Sequence, residues 1–435
     1  MDVPSFNNEV LKFMKNYNES SLSNGLRIIT SEDINSPIVT ITVWVRAGSR
    51  YEQPHQLGYA HILEHMLLKG TKNRPTIFEI SVEQNRVGAY SNANTGSEWI
   101  NLIIQVATEH AEHMIELLSD MLQNPIFNEC VLENEKKVIL EEMYRAEHNP
   151  ERLAIMINMR NLFSNHPLSH LPIGTVDTIK KATVQELKNF YNTHYHPSKA
   201  ALVTVGNLSH EKATMLGEKY FGAWNVGEKI KIEPNSAVSE FTLPEGKILH
   251  ILSNAKQSTL ILNYPAARAS SVIETAALNI LANFLTFGHS SLLGQKLRHE
   301  QGLVYSVNAT NIAYSDTGRF SITTQTTKPK EVLAIIQESM KNIANNLPEA
   351  LFEEIKSQYI GVFIRRNADP FNEISFLGMM GFILLNQLIA PRNYIQTLRA
   401  VSYNDLEKII KKYITQNKTF LTLVGPKEAV GFEYN

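Results

Sequence analysis

The order of apolar and polar positions predicts that helices and strands mix from the start of the chain. Residues 20–48 are expected to form a hairpin, because an Asn-Gly turn precedes one strand and a β-branched and aromatic run follows. Residues 58–70 and 76–88 have helical spacing and are expected to form two helices. Residues 89–107 are interpreted as one strand with a polar start, and residues 128–149 as a long charged helix.

The second half of the chain repeats this order of elements, with strands, a long helix, further strands and paired helices. We therefore predict an α+β fold of two related domains, each a mostly antiparallel sheet covered by helices. The expected bounds are 1–221 for the first domain, 222–245 for a linker and 246–435 for the second domain. The linker is predicted because its Gly, Pro, Ser and charged residues show no sustained period.

Composition and charge narrow the choice of partners and location. The formal net charge of -2 shows no bulk basicity, so neither nucleic acid nor a membrane is an expected partner. Cys130 is the single cysteine, so no disulfide can form within the chain and any metal site must use His, Asp and Glu. The start of the chain lacks a signal-like apolar run, and a cytoplasmic location is expected.

His61, Glu64 and His65 form an H-x-x-E-H sequence on the first predicted helix. Side chains at positions i, i+3 and i+4 share one helix face, so both imidazoles could bind one zinc ion. The carboxylate between them could then accept a proton from a zinc-bound water, whose pKa falls to roughly 7. The pentapeptide alone leaves an ordinary solvated helix face open as an alternative.

The long charged helix offers further carboxylates. Glu135 and Glu142 are two helical turns apart on one side of this helix, whereas Glu141 points about 100° away from Glu142. That arrangement suits one metal ligand with a supporting carboxylate behind it. A surface helix with ordinary Glu–Lys pairs would have the same composition, so this helix alone does not establish a metal site.

HILEH, LGYAHILEHMLLKGT and EKKVILEEM resemble the pitrilysin/insulinase family of zinc metallopeptidases, which are inverzincins. The resemblance is closest to their short-chain branch, which includes the mitochondrial processing peptidase and its bacterial relatives, and it runs from about residue 20 to 425. It implies Zn²⁺ as cofactor, with His61, His65 and Glu142 as its ligands. It also implies that Glu64 is the catalytic base and Glu135 a supporting carboxylate.

Two further motifs resemble this family. NANTGSE is similar to its N-A-x-T-x-x-E strand, which implies that Asn92 and Ala93 lie against the backbone of a substrate added as a strand. KLRHEQGLVYSV is similar to R-x-x-x-G-L-x-Y-S, which implies that Arg298 and Tyr305 contact substrate and help to hold the oxyanion. Without the family, a helix-to-strand turn with an incidental Arg and Tyr is the preferred interpretation of the second motif.

The resemblance implies an endopeptidase that cuts short or unfolded peptides in an enclosed chamber. A dedicated peptide maturase and a non-catalytic partner subunit of a heterodimeric peptidase are the alternatives. A homodimer is expected, because short chains of this family close over the substrate like a clamshell by pairing, although a related second chain is a rival partner. Arg298 and Tyr305 could act in their own chain or in the partner's. His194 and His196 are spaced like a metal pair, but a structural role is preferred for them.

Overall fold

The computed structural model describes residues 15–224, 242–252 and 254–430, so most of the expected linker 222–245 lies outside the described residues. The strands are β1 (Asn16–Ser21), β2 (Arg27–Glu32), β3 (Ile38–Val45), β4 (Tyr90–Thr95), β5 (Ile100–Ala107), β6 (Ala200–Gly206), β7 (Gly246–Ile251), β8 (Ser258–Pro265), β9 (Val307–Ala313), β10 (Gly318–Thr326) and β11 (Phe420–Gly425).

The α-helices are α1 (Tyr59–Leu67), α2 (Ile77–Arg86), α3 (Ala111–Gln123), α4 (Glu129–His148), α5 (Pro150–Leu162), α6 (Val176–Lys181), α7 (Val184–His194), α8 (His210–Phe221), α9 (Val272–Thr286), α10 (Pro329–Lys341), α11 (Ile343–Asn346), α12 (Glu349–Asn367), α13 (Pro370–Ser375), α14 (Pro391–Ala400), α15 (Tyr403–Ile409) and α16 (Lys427–Val430). Gly294–Glu300, Phe376–Leu384 and Ile410–Thr415 are π-helical. Across the described ranges, no helix combines the length and the apolar character needed to cross a membrane.

The five strands of the second sheet follow the same order as five of the six strands of the first. The order is β1-β2-β6-β3-β5-β4 in the first sheet and β7-β11-β8-β10-β9 in the second. Each sheet contains one parallel pair, β2 with β6 and β7 with β11, and its other neighbours are antiparallel. Every strand of the second sheet therefore has a counterpart in the first, in the same chain order. The predicted α+β class, with two related sheet-and-helix halves, is confirmed.

Two local predictions of the strands were wrong. One concerned which strands are neighbours in the sheet, and the other concerned where one strand ends and the next begins. The turn at Asn24 and Gly25 joins β1 to β2, and β6 lies between β2 and β3, so residues 20–48 are not one hairpin. Residues 89–107 form two strands rather than one, and the N–H of Gly96 donates to the Trp99 carbonyl in the turn between them. Apolar spacing indicates a strand, whereas its neighbour in the sheet depends on distant segments.

The two halves exchange helices across their junction. α5 belongs to the first half in sequence but packs on β8 and β11, where Ala154 joins a buried cluster with Ile261. In the opposite direction, Phe376–Leu384 packs on β3 and β6, and Phe382 shares a buried cluster with Trp44. Each sheet is thus covered partly by its own helices and partly by a segment of the other half.

α5 begins in the same way as α13, which also packs on β3 and β6 and leads directly into Phe376–Leu384. Asn149 caps α5 and Asp369 caps α13, and each side chain accepts hydrogen bonds from the next turn. Pro150 and Pro370 occupy the first helical positions, where a missing N–H costs nothing. The internal repeat therefore extends to the signals that start the exchanged helices.

Paired charges are buried at the same junction. Arg50, 2% exposed, contacts Glu98 and donates to Asp316 Oδ2 at 2.5 Å. Glu373, 1% exposed, accepts a hydrogen bond from Lys15 at 2.7 Å. A buried charge without its partner would cost several kcal/mol. These pairs therefore oppose any separation of the halves.

Gly378 provides a test of the helix exchange. A Cβ at this position would overlap the buried indole of Trp44. Gly378→Ala should therefore lower the free energy of unfolding by about 1–3 kcal/mol, the usual cost of overpacking. A Cβ at Gly246 would meet only Phe420, at 3.7 Å, so Gly246→Ala serves as the control and should change stability by less than about 0.5 kcal/mol. Chemical denaturation measures both, and equal stabilities would contradict the described packing.

Candidate metal centre

Helix α1 carries its polar residues on one face and its core residues on the other. His61, Glu64 and His65 are partly buried beside a cleft, whereas Ile62 and Leu63 are fully buried in the core. This division follows from 3.6 residues per turn. The three polar side chains therefore share one helix face, as predicted.

A buried carboxylate holds the start of α1. Glu52 accepts hydrogen bonds from the N–H groups of Gly58 and Ala60, at 2.9 and 2.8 Å. These donors belong to the first turn, where a helix has no partners of its own. Burial raises the pKa of Glu52 to about 8, although the two N–H groups act in the opposite direction. Glu52 thus fixes the helix end from which His61 projects.

Three possible ligand atoms converge between α1 and α4. Glu142 Oε2 lies 3.7 Å from His61 Nε2 and 3.8 Å from His65 Nε2. One ligand atom from each of the three residues lies within 4.8 Å of the others. Ligands placed tetrahedrally around zinc at about 2.1 Å are about 3.4 Å apart. Two imidazoles and a carboxylate in this arrangement fit a zinc ion.

The surroundings of the cluster orient one imidazole. His65 Nδ1 is 2.9 Å from Glu135 Oε2, and Lys69 donates to the other oxygen of Glu135 at 2.8 Å. Burial raises the pKa of Glu135, but the hydrogen bonds from His65 and Lys69 outweigh it and lower the pKa overall. A proton held on Nδ1 leaves Nε2 of His65 free to bind a metal. Glu141 is exposed and outside the cluster.

Burial also sets the charges of the cleft. It lowers the pKa of His61 to about 4, with a smaller contribution from His65, so His61 is neutral at physiological pH. The neutral imidazole is the form that binds metals. Burial raises the pKa of Glu64, and a hydrogen bond from the Thr95 hydroxyl at 2.5 Å partly opposes this shift. The cleft therefore holds the neutral imidazole of His61 beside a carboxyl group of increased basicity.

The cleft continues into a cavity of about 660 Å³ lined by His61 and Glu64. Ala93 of β4 and the side chains of Arg152 and Ile155 on α5 form other parts of its wall. β4 is the last strand of its sheet, so one of its edges has no neighbouring strand in the described part of the chain. The neighbouring Asn92 is exposed.

Arg298 and Tyr305 lie outside this cavity. Tyr305 is 81% exposed, and the Arg298 guanidinium lies 5.2 Å from the centre of its ring. Tyr305 lines a second cavity, of about 330 Å³, in which Ile155 also takes part. Since Ile155 borders both cavities, α5 stands between the metal cleft and Tyr305. Within one chain the structure does not bring this pair to the cluster.

The surroundings of His194 suit the structural role that is preferred for it. His194 is buried against Phe190, with ring centres 4.2 Å apart, and burial lowers its pKa to about 4. His196 Nδ1 accepts from the N–H of Ser198 in the next turn. Neither histidine belongs to the three-residue cluster.

Sequence reasoning missed two residues of this site. Thr95 is the threonine of the N-A-x-T-x-x-E motif, so the motif itself was the signal for it. Glu52 lies nine residues before His61 in a turn, and no local pattern connects its carboxylate to the helix that it caps.

Fold and site together define the class: an α+β protein of two repeated halves, with a His-His-Glu cluster on the helices of the first. The chain belongs to the insulinase family, peptidase family M16. The model of "Insulinase (Peptidase family M16)" matches residues 27–175, and that of "Peptidase M16 inactive domain" matches residues 181–359. His61, Glu64, His65 and Glu142 all fall in the first of these regions.

Relatives that match more than nine-tenths of this chain are named as proteases or peptidases. An uncharacterized zinc protease of Rickettsia bellii is 28% identical, over 96% of this chain and 100% of its own. The mitochondrial-processing peptidase subunit beta of Bos taurus is 26% identical, over 94% of this chain and 84% of its own. A Helicobacter pylori protease of known structure shares the fold, with a TM-score of 0.84 at 23% identity, over 95% of this chain and 100% of its own.

The separation of Glu142 from Glu141 generates a test of the metal centre. Glu142→Gln should weaken zinc binding by more than the roughly 10- to 100-fold typical of an outer-sphere change, because a ligand oxygen is lost. Glu141→Gln is the control on the same helix and should retain zinc, because Glu141 is exposed and apart from the cluster. Zinc content after dialysis against a graded chelator measures both. The same loss in both variants would refute the assignment.

Proposed function

We propose that the protein is a zinc-dependent endopeptidase that hydrolyses short or unfolded peptides in an enclosed chamber, and that it does so in the cytoplasm. The convergence of His61, His65 and Glu142 beside the Glu64 carboxyl group carries this proposal. The open edge of β4 beside the same cleft supports a peptide as the substrate. The names of the relatives support the same reaction class.

The proposed roles follow from the chemistry of each side chain. His61, His65 and Glu142 would hold the ion through two ring nitrogens and a carboxylate oxygen. Zinc would polarise the scissile carbonyl and lower the pKa of a water to about 7. Glu64 would take the proton of the attacking water and deliver it to the departing amine. Burial raises the pKa of Glu64, which makes its carboxylate a stronger base.

The substrate would bind in extended form along β4. Its backbone would bond to the strand near Asn92 and Ala93, and alternate side chains would point towards the cavity of about 660 Å³. Because main-chain hydrogen bonds are common to all peptides, this mode of binding suits a broad range of sequences. Cleavage of many unrelated peptides would distinguish a general oligopeptidase from a dedicated maturase.

The role of Glu64 supplies the main test of this proposal. Glu64→Gln leaves all three proposed ligands in place but removes the base, so turnover should fall at least about 100-fold while zinc remains bound. Hydrolysis of an internally quenched fluorescent peptide measures turnover, and metal analysis of the same preparation measures zinc. A zinc-loaded Glu64→Gln protein that cleaves at the normal rate would exclude this mechanism. A wild-type protein that holds zinc but cleaves no peptide would favour a non-catalytic partner subunit.

We propose, further, that the working unit is a homodimer with two equivalent sites. Each site would combine the metal cluster of one chain with Arg298 and Tyr305 from its partner. The exposure of Tyr305, and its position outside the metal cavity of its own chain, support this arrangement. In the shared site, the guanidinium of Arg298 and the phenol of Tyr305 would donate hydrogen bonds to the oxyanion. A related chain of different sequence is the alternative partner.

Mixing two damaged chains tests the shared site. In a mixed dimer of Glu64→Gln and Tyr305→Phe chains, shared sites would leave one site fully intact. Random pairing should then restore about a quarter of wild-type activity per chain. Each variant incubated alone is the control. If the mixture shows only the average of the two separate preparations, each chain completes its own site and the shared arrangement is wrong.

A further inference from the structure

Thr95 joins the open edge of the first sheet to the proposed catalytic base. It is the last residue of β4, and its hydroxyl donates a hydrogen bond to Glu64 Oε2 at 2.5 Å. Glu64 projects from α1, so this bond connects the helix of the metal cluster with the strand at the rim of the cleft. In the part of the chain that the structure describes, Thr95 is the one hydrogen-bond partner of the Glu64 side chain.

This hydrogen bond makes the two carboxylate oxygens of Glu64 unequal. Oε2 is held by Thr95, which leaves Oε1 as the oxygen available to a proton. A carboxylate held at one oxygen also has less rotational freedom about its last side-chain bond, so less freedom is lost when it acts. A base fixed before the reaction avoids reorientation during proton transfer. The geometry thus separates an oxygen that orients from an oxygen that reacts.

We propose that Thr95 is a positioning residue, which orients Glu64 so that Oε1 faces the attacking water. This inference rests on the proposed role of Glu64 as general base. Because Thr95 belongs to β4, the strand along which the substrate is proposed to lie also fixes the base. The same backbone would then determine the register of the peptide and the direction of proton transfer.

The alternative is that Thr95 only stabilises the fold. Thr95 is partly buried and pairs with Ile100 in the β4–β5 hairpin, so a structural contribution has to be separated from a kinetic one. A structural role would reduce stability, zinc content or peptide binding. A positioning role would reduce kcat and leave those three properties unchanged.

Thr95→Val keeps the shape of the side chain and removes the donor. It should lower kcat by roughly 10- to 100-fold, the range that corresponds to a hydrogen bond to a charged group, with KM unchanged. Thr95→Ser keeps a hydroxyl and should recover most of this loss. Thr76→Val makes the same chemical change at an exposed Thr–Glu pair that caps α2, and it should leave kcat at the wild-type value.

Two measurements do not depend on turnover. Zinc content should be equal in wild-type and Thr95→Val protein. A labelled peptide should bind equally well to Glu64→Gln protein with and without the added Thr95→Val change, because the hydroxyl acts through Glu64 and not on the peptide. Weaker peptide binding or lower zinc content in the Thr95→Val proteins would overturn the positioning role.

The outcomes separate this inference from the proposed function. If Glu64→Gln is inactive and Thr95→Val has the wild-type kcat, the role of Thr95 is wrong and the function stands. If Glu64→Gln cleaves as fast as the wild-type protein, the proposed function itself is wrong. A kcat loss in Thr95→Val that Thr95→Ser does not recover would also count against the hydroxyl.

Discussion

The exchange of helices between the halves is the constraint on which the rest of the structure depends. Each sheet lacks part of its own cover, and the missing part comes from the other half, through α5 in one direction and Phe376–Leu384 in the other. Without this exchange, part of the apolar face of each sheet would be exposed to water. Burial of apolar area is the dominant favourable contribution to folding. Two repeated units therefore form a single folded body.

The exchange also positions the metal cluster. Glu142 lies near the end of α4, and after the Asn149 cap the chain continues directly into α5. Because α5 is packed on the second sheet, the end of α4 that carries Glu142 is fixed relative to both halves. The histidines come from α1, whose start is held by Glu52. Ligands that are distant in sequence thus meet because both helices that carry them are anchored.

The sequence predicts which side chains share a helix face, but it does not predict which strands are neighbours in a sheet. The spacing of His61, Glu64 and His65 predicts a shared helix face, and the structure has it, because helix geometry depends only on neighbouring residues. The place of β6 between β2 and β3 depends on a segment more than a hundred residues away. The bond from Thr95 to Glu64 likewise joins separate elements, and sequence reasoning missed that threonine although it lies in the N-A-x-T-x-x-E motif.

Buried charges decide where such a molecule can open. Arg50 with Glu98 and Asp316, and Glu373 with Lys15, cross the junction of the halves with their charges paired. Pulling the halves apart would break these pairs and expose the exchanged apolar segments, at a cost of several kcal/mol for each ion that remains buried. Glu98 lies in the turn between β4 and β5, so the open edge of β4 is tied to the second half as well. Movement within one chain is therefore unfavourable. In the proposed pair of chains, the opening that admits a peptide falls to the junction between them, which is also where the exposed Tyr305 of one chain would reach the cleft of the other.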